Sequence, residues 1–264
     1  MFKSKKKYKN IITKKSKFYL QILLKLVLIS LIFALIITPS SAVQNDLEKL
    51  LPPPQKHPLP TSLDRWEDKP YSGDYFEQIK PSIGGYLLWS EFPIKVYFDR
   101  PSNSNDTAAT TRRFNQWVNA VEKAIFEWNT YLPIREVSQP ELAEIIIERT
   151  DPPLETQVDP ETGKLQIPRA KTAQTRYEFY IKNNTLFHKM IIQISPRLGE
   201  LSTLSAARHE LGHGLGIWGH SLQENDTLYF SQVNPSIPIS SRDINTLKKI
   251  YEQPTRLGWQ LPSQ

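Results

Sequence analysis

The chain has 264 residues, no cysteine, 33 basic and 27 acidic residues, and a formal net charge of +6. Without cysteine no disulfide can staple it, so a hydrophobic core must hold the fold, and about 220 residues beyond the leader can bury one in a single domain. The first 42 residues hold nine of the 33 basic residues and no acid, leaving 24 basic against 27 acidic, or −3, for the remainder. The basic excess therefore belongs to the leader and gives no reason to read a nucleic-acid partner.

Met1 to Gln21 carries eight lysines and no acid, and an apolar run follows from Ile22 to Ile37, broken once by Lys25. Pro39-Ser40-Ser41-Ala42 closes it with small residues. A basic start, an apolar middle and a small-residue end read as a secretory signal over residues 1–42. The alternative is an uncleaved membrane anchor: Phe18 to Ile37 is 20 residues, long enough to span if Lys25 snorkels to the interface. In either case the leading lysines favour a cytoplasmic N-terminus. The rest of the chain is then expected outside the cytoplasm, secreted, periplasmic or anchored facing out.

Residues 43–84 contain Pro52-Pro53-Pro54, Pro58 and Pro60 and show no apolar periodicity, so they read as a stiff linker. The second reading is a prosegment that covers a functional site. A single globular domain is then expected over residues 85–264.

Within that domain Ile94, Val96 and Phe98 alternate as in a strand, with Pro93 at its start. After a polar loop, Phe114, Trp117, Val118, Val121, Ile125, Trp128 and Leu132 keep helical spacing, and the tryptophans read as core. Ile145-Ile146-Ile147 forms a short buried strand. Asp151 to Thr175 reads as a polar, proline-containing stretch that turns at Asp159-Pro160-Glu161-Thr162-Gly163. Tyr177, Phe179 and Ile181 alternate again, Asn183-Asn184 makes a turn, and Leu186 to Ile194 resumes strand character. His188, alone in that strand, reads as a packed or surface residue. Periodicity alone supports an α+β fold.

The next stretch carries chemistry: His209-Glu210-Leu211-Gly212-His213-Gly214-Leu215-Gly216-Ile217-Trp218-Gly219-His220. On a helix, residues four apart differ by about 40° around the axis, so His209 and His213 can offer both imidazoles to one cation. Glu210 lies between them and can reach a water without occupying a ligand position, which is the content of H-E-x-x-H. Leu204, Ala207, Leu211 and Leu215 form an apolar stripe from which both histidines are displaced. Gly216 permits a positive-φ exit, so the chain can double back and present His220 as a third ligand. Three protein ligands with one open position define a catalytic rather than a structural zinc site.

From Ser202 to Gly216 this run resembles the metzincin zinc peptidases, and most of all their matrixin branch. The family pattern is H-E-x-x-H-x-x-G-x-x-H. Here Gly219 stands ten residues after His209, and His220 comes one later, in a turn with two glycines that can absorb the shift. The resemblance implies a zincin-type α+β domain in which a mostly parallel sheet covers an active-site helix and a C-terminal helix follows. It implies one catalytic Zn2+ on His209, His213 and His220, with Glu210 as general base, hydrolysing peptide bonds of protein or peptide substrates. Leu228 stands where the family places a methionine beneath the metal and can supply a similar hydrophobic floor, with Tyr229 as a wall of the cleft. The family's His/Asp pattern for a structural zinc and calcium is not visible upstream, so neither ion is expected. Its cysteine latch has no counterpart, so a group such as Asp64 or His57 would have to confer any latency.

Asn234 to Pro238 reads as a proline-bounded loop lining a substrate side-chain pocket. Ser240-Ser241-Arg242-Asp243 resembles a capping box opening a last helix with Ile244, Leu247 and Tyr251 on one face, and Pro254 to Gln264 reads as a short tail. Two other readings stand beside the peptidase. One is a zinc peptidase of another clan with a carboxylate, Asp243 or Glu252, as third ligand. The other is a zinc-binding interaction module without turnover, against which the retained Glu210 argues.

Overall fold

A run of three isoleucines lies at the centre of the sheet. In the computed structural model, which describes residues 49–102, 108–154, 157–158, 165–166, 171–231 and 237–262, β3 (Ile145–Glu148) is flanked by parallel strands on both sides. Its neighbours are β1 (Ile94–Phe98) and β7 (Thr185–Ile194). Beyond β1 lies β2 (Ile134–Glu136), also parallel, and beyond β7 lies β6 (Ala173–Lys182), the one antiparallel member. The order is β2-β1-β3-β7-β6; a two-stranded ribbon, β4 (Gln157–Val158) with β5 (Leu165–Gln166), stands apart. Among its described residues, the unit from Leu51 onward adds four α-helices: α1 (Thr61–Asp64), α2 (Ala109–Asn129), α3 (Glu200–Gly214) and α4 (Ser241–Tyr251). The fold is thus α+β with a five-stranded, mostly parallel sheet.

Period-two alternation gives the sheet one apolar face. Ile94, Val96, Phe98, Ile145, Ile147, Met190, Ile192 and Ile194 are buried, while the intervening Lys95 and Glu148 pair with Glu144 and Gln193. Helix α3 lies on the apolar face and α2 packs against α3. Trp117 and Trp128 are core residues, as their spacing predicts, and the Trp128 indole also donates to the Arg208 carbonyl of α3 at 2.9 Å. Arg208 returns a bidentate ion pair to Glu127 of α2, at 2.5 and 2.7 Å.

The expected linker over residues 43–84 is corrected from Leu51 onward. Leu63, Tyr75 and Ile79 are buried in the same core, spaced too irregularly to register as a periodic pattern. Backbone polar groups that the prolines leave without a ladder are met by the chain's far end: Gln55 pairs with Thr255, and Arg256 donates to the Pro52 carbonyl. The expected tail is corrected by the same contacts, since Thr255 and Leu257 are buried. His57 bonds the Leu257 carbonyl and stacks on Trp259, and the Asp64 carbonyl accepts from Lys248, so both proposed latency residues belong to this packing. Strand β2 has no counterpart in the sequence reading; three residues are too few to show a period. Thr175, read as part of a loop, lies in β6; Tyr177, Phe179 and Ile181 lie in the same strand, as their alternation predicts, with Ile181 exposed.

No helix among the described residues is long and apolar enough to cross a membrane. The leader 1–42, the anchor segment 18–37, the turn 159–163 and residues 234–236 of the expected pocket loop lie outside the described residues.

His188 is packed in the core, stacked on Trp89 at 3.9 Å with its Nε2 unpartnered, and burial pushes its pKa down to about 3. The unfolded chain takes up a proton below about pH 6.5 that the folded chain refuses until about pH 3, so stability falls as pH falls through that window. The cost is about 1 kcal/mol per pH unit. His188→Phe keeps the stack and should flatten this slope, seen in urea midpoints measured between about pH 7.5 and pH 5.

Candidate metal centre

Helix α3 is held at its C-terminal end by side chains that take up its last carbonyls. Trp89 Nε1 donates to Gly214 O at 2.9 Å and Tyr251 Oη to Leu215 O at 3.0 Å. Gly216 follows with φ +128°, where a Cβ would lie 2.7 Å from the Leu87 carbonyl oxygen. The chain then turns through Ile217 and Trp218 to Gly219. A Cβ there would overlap the Gln78 carbonyl oxygen, so no side chain fits at the tenth residue after His209. The next residue, His220, turns back onto α3.

That turn brings the three predicted ligands together. Nitrogen atoms of His209, His213 and His220 lie within 4.8 Å of one another. The ring centroids of His220 are 5.2 Å from His209 and 4.8 Å from His213. His209 Nδ1 lies 2.9 Å from Thr227 O, and His213 Nδ1 lies 2.7 Å from Ile217 O. A carbonyl oxygen only accepts, so both Nδ1 atoms carry the proton and both Nε2 atoms present lone pairs. Those Nε2 atoms face each other at 3.1 Å. Two acceptors at that distance call for a cation between them, and carbonyl-anchored imidazoles with the far nitrogen free are the usual metal-ligating arrangement. Burial, with each ring opposing charge on a neighbouring histidine, pushes His209 and His213 down to about pKa 4, so both are neutral and able to ligate near pH 7. The three histidines can hold a metal ion.

Leu228, which the resemblance makes a hydrophobic floor, is fully buried. It lies so close to α3 that a Cβ on Gly212 would be 2.5 Å from its Cδ2. Asp243 suspends its turn, accepting from Thr227 N at 2.9 Å, Tyr75 Oη at 2.6 Å and Ser240 N at 2.8 Å. The predicted capping box at Ser240 and Asp243 is therefore present, and the same carboxylate also anchors the turn that carries the acceptor for His209. Burial raises the Asp243 pKa, against the pull of its hydrogen bonds. Neither Asp243 nor the exposed Glu252 at the end of α4 belongs to the histidine cluster.

Glu210 is buried beside the cluster, and Thr175 Oγ1 of β6 donates to its Oε2 at 2.6 Å. Burial raises the Glu210 pKa; any charge on His209, this hydrogen bond and Lys171 oppose the rise. The sequence reading missed Thr175, because a polar strand start after a proline-containing stretch carries no periodic signal. A cleft of about 870 Å3 opens over the group, lined by the three histidines, Glu210, Trp218 and Tyr229.

Compared with family models and with curated proteins, the sequence matches none.

The centre should bind one divalent ion per chain, counted by elemental analysis after dialysis. In competition with a chelator, His220→Ala should weaken binding by at least the 10–100-fold typical of losing an outer-shell partner, while Glu252→Gln should leave it unchanged.

Proposed function

We propose that the chain is a zinc-dependent metalloendopeptidase of metzincin architecture, nearest the matrixin branch, acting on protein or peptide substrates outside the cytoplasm. The observation that carries the reading is the pair of neutral imidazoles facing each other at 3.1 Å beside a buried carboxylate in an open cleft. Zinc fits three imidazole donors, as do other first-row metals, and the H-E-x-x-H spacing favours zinc among them. Bound there, zinc would supply Lewis acidity to a scissile carbonyl and lower the pKa of water from 15.7 towards about 7.

The protein's own groups divide the remaining work. Thr175 occupies Oε2 of Glu210, leaving Oε1 to take a proton from the attacking water and return it to the leaving nitrogen. Burial weakens Glu210 as an acid and so strengthens it as a base near neutral pH. Strand β6 ends the sheet beside the cleft, and an extended peptide can pair with its outer edge. The extracytoplasmic location rests on the basic and apolar leader.

The chain from Val43 onward, given zinc, should cleave an unfolded protein, and a chelator should stop it. Glu210→Gln should lower kcat by about 10²–10⁴-fold while still binding metal, the range for loss of general-base catalysis. Zinc bound with no cleavage by the wild type would sink the peptidase and favour an interaction module.

Thr175 acts here as a positioning residue. Thr175→Val should reduce kcat about tenfold with KM unchanged, the equivalent of roughly 1.4 kcal/mol in the transition state, and Thr175→Ser should restore it. A parallel rise in KM would assign Thr175 to substrate binding instead.

A further inference from the structure

We propose that the chain binds a small phosphorylated ligand in a second cavity, lined by Arg113 and Arg149 at the carboxyl ends of β1 and β3. The cavity has a volume of about 370 Å3 and shares no lining residue with the metal cleft. Ser102 follows β1, Arg149 follows β3 and Pro196 follows β7, so it opens where three adjacent parallel strands end. The chain leaves β1 toward β2 on one side of the sheet and leaves β3 toward β7 and β6 on the other. Where the connections of two neighbouring parallel strands part in this way, a crevice opens at their carboxyl ends, and open parallel sheets take their ligands there.

The lining sets the chemistry of the ligand. Its charged residues are Arg113 and Arg149, and no carboxylate joins them among the described residues. Arg113 is exposed, without a hydrogen-bond or ion-pair partner among the described residues. Arg149 is half-buried, with its guanidinium 4.5 Å from the centre of the Phe114 ring. Its Nη2 reaches the Pro196 carbonyl only at 3.4 Å, and its Nε is enclosed with no acceptor. The carboxylates nearest in sequence are engaged elsewhere: Glu148 accepts from Gln193, and Asp151 from Arg197. Asp99 takes the Arg149 main-chain N–H at 2.7 Å, and its charge opposes the lowering of the Arg149 pKa by burial. An arginine stays protonated through such a shift, so the cavity keeps two cations. An enclosed N–H without an acceptor is a cost to the folded chain, and an oxyanion removes it with a charge-assisted bond. A phosphate monoester carries about −1.5 to −2 near pH 7 on three acceptor oxygens, which matches two guanidiniums. Hydroxyls of Ser102 and Thr110 complete the polar lining. At about 370 Å3 the cavity lies at the small end of the usual range for small-molecule pockets, about 300–1,000 Å3, and has room for an organic group beside Phe114.

The test uses the full chain dialysed free of metal, so that no ion at the histidines can hold a phosphate. Phenyl phosphate, titrated calorimetrically, should bind once per chain with a Kd below about 1 mM. Benzoate keeps the ring with a single charge and should bind about tenfold more weakly. Arg113→Gln and Arg149→Gln should each weaken phenyl phosphate about tenfold or more, the effect of losing a charged hydrogen-bond donor. Arg113 is exposed, so its variant should keep the wild-type thermal midpoint and carries the test even if Arg149→Gln folds poorly. Absence of saturable binding, benzoate bound as tightly as phenyl phosphate, or binding that Arg113→Gln leaves unchanged would each overturn the proposal. None of these outcomes reads cleavage, so the peptidase stands or falls separately.

Discussion

Everything around the centre depends on two imidazoles being made to turn their lone pairs toward each other. Each is held by a proton given to a main-chain carbonyl, one from the loop that follows α3 and one from the turn beneath it. Left alone, two acceptors at 3.1 Å repel. The repulsion persists because the rings are buried, and burial also keeps protons from relieving it near neutral pH. A strained pair of acceptors is a cost to the folded chain that a divalent cation relieves, which couples metal binding to folding.

Three glycines and one leucine make this geometry attainable. Gly216 supplies the backbone turn, Gly219 lets the chain pass against the Gln78 carbonyl, and Gly212 makes room for Leu228 against α3. Asp243 then ties the helix cap, the Leu228 turn and Tyr75 of the N-terminal segment to one carboxylate. A buried charge shared among several donors gains by being fully satisfied, and its removal would leave each donor orphaned.

The part of this legible in sequence was the part governed by local rules. Helical spacing placed His209, Glu210 and His213 on one turn, and period-two alternation found β1, β3 and β7. The glycine-rich exit pointed to His220 joining the other two histidines despite its shift by one residue, and the three do come together. What stayed hidden was set by long-range contact. The burial of Leu63 and Tyr75 follows from packing against α4, not from any repeating pattern nearby. Thr175 matters because β6 crosses above Glu210, and no property of residues 171–175 announces that. The proline-rich stretch reads as a spacer because prolines lack donors; its acceptors and side chains are used by residues about 200 positions away.

That closure has a temporal side. The Leu257 carbonyl meets His57 across 200 residues of chain, and bringing such distant ends together is an entropic step that local structure cannot shortcut. Until Thr255 and Trp259 are available, Gln55 has no bridge partner and His57 no stacking partner. The N-terminal segment that carries Tyr75 to Asp243 is then clamped from one end only. A chain still being synthesised would carry the complete ligand triad before it carried the clasp that fastens the segment steadying it. The steadying of that segment thereby waits until Thr255, Leu257 and Trp259 have been made.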